Sequence, residues 1–331
     1  MKAEGVDLFV HYGEMAIMGF VEFLGNIRKS LSYLRRVKED IVSYRPDVII
    51  LIDYGGFNRQ IATFGKKNDL KVFYYISPKV WAWRQRRALQ LKKTVTRMFV
   101  ILPFEKDFFR KFNWEVDYVG NPVLDAVKAH VPDQEFARKT AQVNNTPRVA
   151  LLPGSRAQEL KGTVPLMTEV VKRFPAYRFY VATVSNLDPA LYASLKDLPN
   201  VTLVYETTYD LLLNAEAAIV TSGTATLETA LFKVPQVVVY RTSTVTYWIV
   251  KLLIRVPFIS LVNLIAGHEV VKEMIQRNSN ADNVSAEVDL MLNDSVYRDK
   301  MIKGYEEIIR MLDTGSASEN TAQLMVNYLR E

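Results

Sequence analysis

Hydrophobic positions along this chain come in short solid runs separated by stretches of helical period. Four runs come first: "DVIILID" (47–53), "KVFYYIS" (71–77), "RMFVILP" (97–103) and "VDYVG" (116–120). Five follow after a break: "RVALLPG" (148–154), "YRFYVATV" (177–184), "VTLVYE" (201–206), "AAIVTSG" (217–223) and "PQVVVYR" (235–241). Their Val, Ile and Tyr content, without clean alternation, predicts strands covered on both faces. Strand and helix patterns alternate, which predicts doubly wound parallel sheets. The break itself, "KAHVPDQEFARKTAQVNNTPR" (128–148), is polar and carries Pro132 and "NNTP". It predicts a linker over 131–147 joining two Rossmann-like α/β domains, 1–130 and 148–331. Beyond residue 268 the pattern reads as helical only, ending in "TAQLMVNYLRE".

Composition narrows the picture. The 331 residues suffice for two medium domains. There is no cysteine, which excludes disulfides and thiolate metal sites. His11, His130 and His268 show no ligand spacing, so no metal and no cofactor are expected. The net charge of +6 is unevenly placed: "RQRRALQLKKTVTR" (84–97) holds six cations and no acid. That run reads either as a solvated helix face or as a surface for an anionic ligand or membrane. It is not embedded in a nucleic-acid-binding module, so no nucleic acid is expected. The first residues, "MKAEGVDLFVHYGE", lack the apolar core of a secretion signal. The most apolar stretch, "TYWIVKLLIRVPFISLVNLIAG" (246–267), is interrupted by Lys251, Arg255 and Pro257 and reads as amphipathic and interfacial.

Ligands of open parallel sheets bind beyond the carboxyl ends of the strands. The residues there are Asp53, Ser77, Pro103, Gly120 with Asn121, Gly154 to Arg156, and Ser222 to Thr224. In "LLPGSRAQELK", Gly154 permits close backbone approach, Ser155 can cap a helix starting near Ala157, and Arg156 adds charge to an anion site. In "IVTSGTATLETAL", a Ser-Gly-Thr turn again opens a helix, and Glu228 sits where a carboxylate can hold two ribose hydroxyls. Each is also the form of an ordinary strand–turn–helix cap. Both in one half, without GxGxxG or GxxxxGK[ST], favour a nucleotide diphosphate held between domains. Asp53 can serve as a general base for an acceptor hydroxyl or simply cap the next helix. In "YYISPKVWAWRQRR", rings beside cations suit a sugar or lipid headgroup, though Trp81 and Trp83 can equally be core.

Six segments, "YYISPKVWAWRQRR", "ILPFEKDFF", "VGNPVLD", "LLPGSR", "SGTATLETAL" and "LVNLIAGHEVVKE", together resemble the lipid-A-disaccharide synthase family. The resemblance implies an inverting, metal-independent glycosyltransferase of GT-B fold, with an interdomain cleft and a helical C-terminus. It implies that UDP-2,3-diacylglucosamine donates its sugar to 2,3-diacylglucosamine 1-phosphate (lipid X), giving a β-1,6-linked disaccharide and UDP. Carried over, Gly154, Ser155, Arg156, Ser222, Gly223 and Thr224 approach the diphosphate and Glu228 the ribose. Asn263 lines the catalytic cleft and, with Arg156 and Asp53, makes up the catalytic set. Ser77, Trp81, Trp83, Arg84, Phe104 and Asn121 fall on the acceptor and lipid side. The implied setting is cytoplasmic, peripheral on the inner face of the inner membrane and against its lipids, with a homodimer left open. Two departures stand out. Where the family carries a carboxylate in Ala-Pro-Asp-Phe, this chain has "YGGF", and Gly56 cannot act as a base. The family also begins with a strand and a "GEASGD" turn ahead of the point matching Met1, so the expectation is that this segment is missing and that turnover requires it. Alternatives are another UDP-sugar enzyme, an epimerase or the peptidoglycan glucosaminyl transferase, and a truncated non-catalytic UDP- or lipid-binding protein.

Overall fold

The computed structural model describes residues 5–10, 27–140, 146–242, 247, 252 and 256–331. The chain divides into two compact units, one of residues 1–78 and 86–99, the other of 79–85 and 100–331. The doubly wound expectation holds: every strand pair with a described register is parallel.

In the first unit the order is α1 (Ile27–Tyr44), β1 (Val48–Ile52), α2 (Gly55–Lys67), β2 (Lys71–Tyr75), α3 (Arg87–Thr94) and β3 (Arg97–Val100). Val72, Phe73 and Tyr74 of β2 are wholly buried, as a strand flanked on both sides and covered on both faces must be. Gly65 lets α2 lie close to the sheet. A Cβ there would come within 2.7 Å of Val72 and 3.0 Å of Ile49. The basic run forms α3 and its flanks; Ala88 and Leu91 face the core, while Lys92 and Lys93 are exposed in its last turn.

Beyond β3 come α4 (Pro103–Arg110), β4 (Asp117–Tyr118), α5 (Pro122–Ala129) and α6 (Gln134–Lys139). The first sheet has the order β1-β2-β3-β4. Helix α4 explains why Leu-Pro-Phe closes a buried strand. Pro103 sits at the first helical position, where its missing N–H costs nothing. Glu105, two residues on, is buried and turns back to accept hydrogen bonds from Ile101 N (3.2 Å) and Leu102 N (2.9 Å). The rings are core: Phe108 packs on Phe109 and Phe112, and Phe109 on Trp114.

The second sheet is built from β5 (Arg148–Leu152), α7 (Ala157–Arg173), β6 (Arg178–Thr183), α8 (Ala193–Lys196), β7 (Val201–Tyr205), α9 (Thr208–Leu213), β8 (Ala217–Thr221), α10 (Thr224–Leu231) and β9 (Gln236–Tyr240). Then follow α11 (Leu261–Ala266), β10 (Glu273–Ile275), α12 (Ala281–Asn293), α13 (Ser295–Leu312) and α14 (Ala317–Arg330). The strand order is β10-β9-β8-β5-β6-β7, so the direction of winding reverses between β5 and β8. Every residue of β8 is buried.

Three features depart from the sequence reading. Residues past 268 are not helical only: β10 pairs with β9, Glu273 opposite Val238. Three residues that include a glutamate give no apolar run; the strand is recruited by the edge of β9. Secondly, the expected linker is partly ordered. Asp133 caps α6 through Glu135 N (2.8 Å), and its own N–H donates to Asp210 Oδ1 (2.7 Å). Thirdly, the last helices return to residues 117–125. Tyr118 Oη donates to Met311 O (3.1 Å), Thr314 Oγ1 to Val119 O (3.0 Å), and the N–H groups of Ala317 and Ser318 to the Asp125 carboxylate (3.2 and 3.1 Å).

Candidate functional site

The carboxyl ends of β5 and β8 are where the second sheet offers a ligand site, because helices to either side of a winding reversal diverge and leave a crevice. The two strands run in register, Leu152 opposite Val220, so Gly154 and Ser222 each lie two residues past a paired position. Six of the expected diphosphate residues, 154–156 and 222–224, therefore share one end of one sheet.

After β5, Gly154 has φ +113, a conformation that disfavours any residue with a side chain. A Cβ there would also lie 2.5 Å from Glu159 Oε2. That carboxylate fills the turn: Ser155 N (2.9 Å) and Arg156 N (3.3 Å) both donate to Glu159 Oε2, and Arg156 reaches Oε1 (3.1 Å). Ser155 does not cap α7. Arg156 occupies the cap position and Glu159, third in the helix, does the capping. The Arg156 side chain is 80% exposed, so its ion pair contributes little and it can turn to a ligand.

After β8 the arrangement differs. Ser222 N donates to Val239 O (3.1 Å) and its hydroxyl to Ile259 O (3.0 Å). Gly223 has nothing within 4 Å of where a Cβ would stand, and Thr224 is exposed at the start of α10. No side chain among the described residues caps this helix; Thr226 N donates to Gly223 O (3.3 Å), and the N–H groups of Thr224 and Ala225 are left at the positive end of the helix dipole. The Thr221 hydroxyl beside them is buried without a hydrogen-bond partner among the described residues. Glu228 lies one turn into α10, half-buried. Burial pushes its carboxyl pKa above the ordinary value, while a hydrogen bond from Tyr209 Oη (3.0 Å) works the other way.

The loop that receives Ser222 is held by Glu273, which the sequence reading missed. Its carboxylate accepts from Ile259 N (2.9 Å), Ser260 N (3.0 Å), Ser260 Oγ (2.8 Å) and Asn263 Nδ2 (2.9 Å). Asn263 is wholly buried. It also donates to Val271 O (2.9 Å) and accepts from Val270 N (2.8 Å) and Val271 N (3.0 Å), so all four of its hydrogen-bonding positions are used. In this arrangement Asn263 does not present itself to a ligand. It fastens α11 to β10 and steadies Glu273. The amphipathic stretch expected over 246–267 lies outside the described residues at 246, 248–251 and 253–255. No helix among the described residues is long and apolar enough to cross a membrane.

The remaining candidates fall elsewhere. Asp53 is exposed just past β1 with φ 45; its backbone O accepts from Tyr74 Oη (2.7 Å) and Asn58 Nδ2 (2.8 Å). Its side chain does not cap α2, whose cap position is Tyr54. Ser77 is buried. Trp81 is buried against Phe104, ring centroids 5.0 Å apart, and donates to Glu105 Oε1 (3.1 Å). Trp83 is partly exposed, and the Arg84 guanidinium lies 4.9 Å from its ring centre. Asn121 is buried and caps α5 through Val123 N (2.9 Å) while donating to Ile101 O (3.2 Å). Its polar atoms serve the fold, and Trp83, Arg84 and half-buried Phe104 are left as the accessible members of that set.

Residues 1–326 match the family model described as lipid-A-disaccharide synthetase. The lipid-A-disaccharide synthase of Syntrophus aciditrophicus (strain SB) is 36% identical over 338 residues, covering 100% of this chain and 88% of its own length. That of Myxococcus xanthus (strain DK1622) is 37% identical over 335 residues, covering 99% and 88%. The chain belongs to the lipid-A-disaccharide synthase family. Lipid-A-disaccharide synthases are glycosyltransferases, and this chain is accordingly an enzyme of lipid A biosynthesis. Among solved structures, UDP-GlcNAc 2-epimerase from Neisseria meningitidis bound to UDP-GlcNAc aligns with TM-score 0.63 at 14% identity over 90% of this chain and 81% of its own. The glycotransferase of kitacinnamycin aligns with TM-score 0.64 at 13% identity over 95% and 84%. At such identities the likeness shows the two-sheet fold that lipid-A-disaccharide synthases share with them, and nothing of their substrates.

Proposed function

We propose that the chain transfers diacylglucosamine from UDP-2,3-diacylglucosamine to the 6-hydroxyl of 2,3-diacylglucosamine 1-phosphate, forming a β-1,6 bond and releasing UDP. The observation that carries this reading, beyond family membership, is the uncapped start of α10 beside the β5 turn, with Glu228 one turn away. The N–H groups of Thr224 and Ala225 at the uncapped start of α10, with Ser222, Gly223 and Thr224, suit a diphosphate. Arg156 adds a mobile cation, and Glu228 suits the vicinal hydroxyls of a ribose. As the sugar–phosphate bond breaks, negative charge grows on the diphosphate oxygens, where fixed donors stabilise it most. The acceptor hydroxyl needs a proton acceptor. Asp53, an exposed carboxylate at a strand end, is the candidate in this chain because Gly56 offers none.

In this reading residues 1–130 form the acceptor side and 148–331 the UDP-sugar side. Trp83 and Arg84, with the exposed cations of the 84–97 run, would meet an anionic lipid surface at the inner face of the inner membrane. A homodimer is compatible with it.

The purified chain, beside a version extended upstream by the family's N-terminal segment, given both substrates in detergent with UDP and disaccharide followed together, tests the proposal; turnover is expected in the extended form. Equimolar appearance of the two is expected, and Arg156→Ala should lower kcat/KM for the donor about tenfold or more, the loss of a charge-assisted bond to phosphate. UDP release without disaccharide, or an Arg156→Ala variant with unchanged kinetics, would refute the assigned site.

A further inference from the structure

His130 closes α5, and its Nε2 lies 3.1 Å from Asp210 Oδ1, an oxygen that also accepts from Asp133 N. Asp210 is buried, and its neighbour on α9, Tyr209, points its hydroxyl at Glu228 Oε1. The phenol ring is walled by Phe232 (centroids 5.0 Å apart) and by His130 (5.4 Å, edge-on). We propose that Tyr209 is the positioning residue for nucleoside recognition: its hydroxyl holds the Glu228 carboxylate by one oxygen so that the other faces the ribose 2′- and 3′-hydroxyls.

The proposal rests on the ribose reading of Glu228 given above. Its geometry is asymmetric in the useful way. Oε1 is occupied by Tyr209, and Oε2 has no hydrogen bond among the described residues. Tyr209 cannot easily swing away, since Phe232 and His130 close two sides of its ring and Asp210, the next residue, is tied to His130 and to the start of α6. A half-buried carboxylate without such a donor would protonate more readily and rotate about its last bond. The phenol opposes both.

Tyr209→Phe removes one oxygen and keeps the ring contacts, so the fold should survive; a thermal melt checks this. UDP and 2′-deoxy-UDP would be titrated calorimetrically into the unaltered chain, Tyr209→Phe and Glu228→Gln. The unaltered chain should prefer UDP. In Tyr209→Phe, UDP affinity should fall about tenfold, the lower end of what a hydrogen bond to a charged group contributes, and most of the preference over 2′-deoxy-UDP should go with it. The acid limb of UDP binding should also begin at higher pH, because the bond that opposes protonation of Glu228 is gone. If Tyr209→Phe keeps the full preference while Glu228→Gln loses it, Tyr209 only packs and the proposal falls. If the unaltered chain binds both nucleotides equally, the ribose reading of Glu228 fails and takes this proposal with it.

Discussion

The turns after β5 and β8 leave adjacent strands at matching register, and each carries a glycine and a serine ahead of a helix, yet they are finished differently. The first is closed from within: Glu159 returns from its own helix to accept the N–H groups of Ser155 and Arg156. The second is held from without: Ser222 is fastened to Ile259, and the Ile259 loop is fastened by Glu273, while no side chain among the described residues caps the start of α10. A carboxylate already lies where an anion would sit in the first turn. In the second, no side chain among the described residues caps the helix start. Two turns of similar sequence thus differ in electrostatic readiness. A diphosphate arriving at this end of the sheet would meet α10 first, and would meet the α7 turn chiefly through the exposed Arg156.

The largest effect that sharpens this contrast is expected at Glu273. Glu273→Ala deletes the acceptor of four hydrogen bonds and leaves buried donors unpaired, which should cost about 3 kcal/mol or more in urea unfolding. It should also weaken UDP binding by loosening the loop that holds Ser222. A loss below about 1 kcal/mol would show that the Ile259 loop is held by other means. Next comes Glu159→Ala. Losing the cap should cost about 1 kcal/mol, but UDP affinity should hold or rise, since a competing negative charge has gone. A tenfold loss of affinity would instead make Glu159 part of the ligand site and break the contrast. The smallest effect is in pH. The folded-state pKa of Glu228 is raised above its ordinary 4.5, burial being the main cause. A raised carboxyl costs stability when ionised, and that cost is relieved on acidification. Binding that needs the ion runs oppositely, weakening as pH falls through the raised value and therefore starting above 4.5. The Glu228→Gln variant should lack that limb; an identical pH profile would remove Glu228 from the site.

The sheet architecture was legible because its strands are solid apolar runs, and Val149 to Leu152 or Ala217 to Thr221 can hardly be anything but buried strand. The two turns proposed for the diphosphate were legible as turns for a related reason: a glycine and hydroxyls after such a run mark a chain turning tightly into a helix. What escaped was the set of carboxylates that finish the turns. Glu105, Glu159 and Glu273 act on backbone N–H groups, and a glutamate that accepts from the backbone looks in sequence like any other surface glutamate. Glu105 and Glu159 had a local signal, being third in their helices. Glu273 had none, because its partners at 259–263 lie more than two turns of chain away and are brought close only by the pairing of β10 with β9. Asn121 and Asn263 misled for the complementary reason. A motif asparagine looks like a ligand-binding group, but its side chain can be fully used in joining backbone segments. Tyr209 sits in a stretch, "ETTYDLLLN", whose pattern says only helix.

The return of the last helix to residues 117–125 has a consequence in time. Asp125, Val119 and Tyr118 take partners from residues 311–320, close to two hundred positions later. During synthesis, which proceeds at roughly 5–20 residues per second, β4 and α5 must wait about ten seconds or longer for the chain that completes them. Until then the carbonyl of Val119 and the Asp125 carboxylate lack these partners and are left to water. Assembly of this region is therefore a late event, and a ribosome stalled before codon 311 would leave Tyr118, Val119 and Asp125 without those partners.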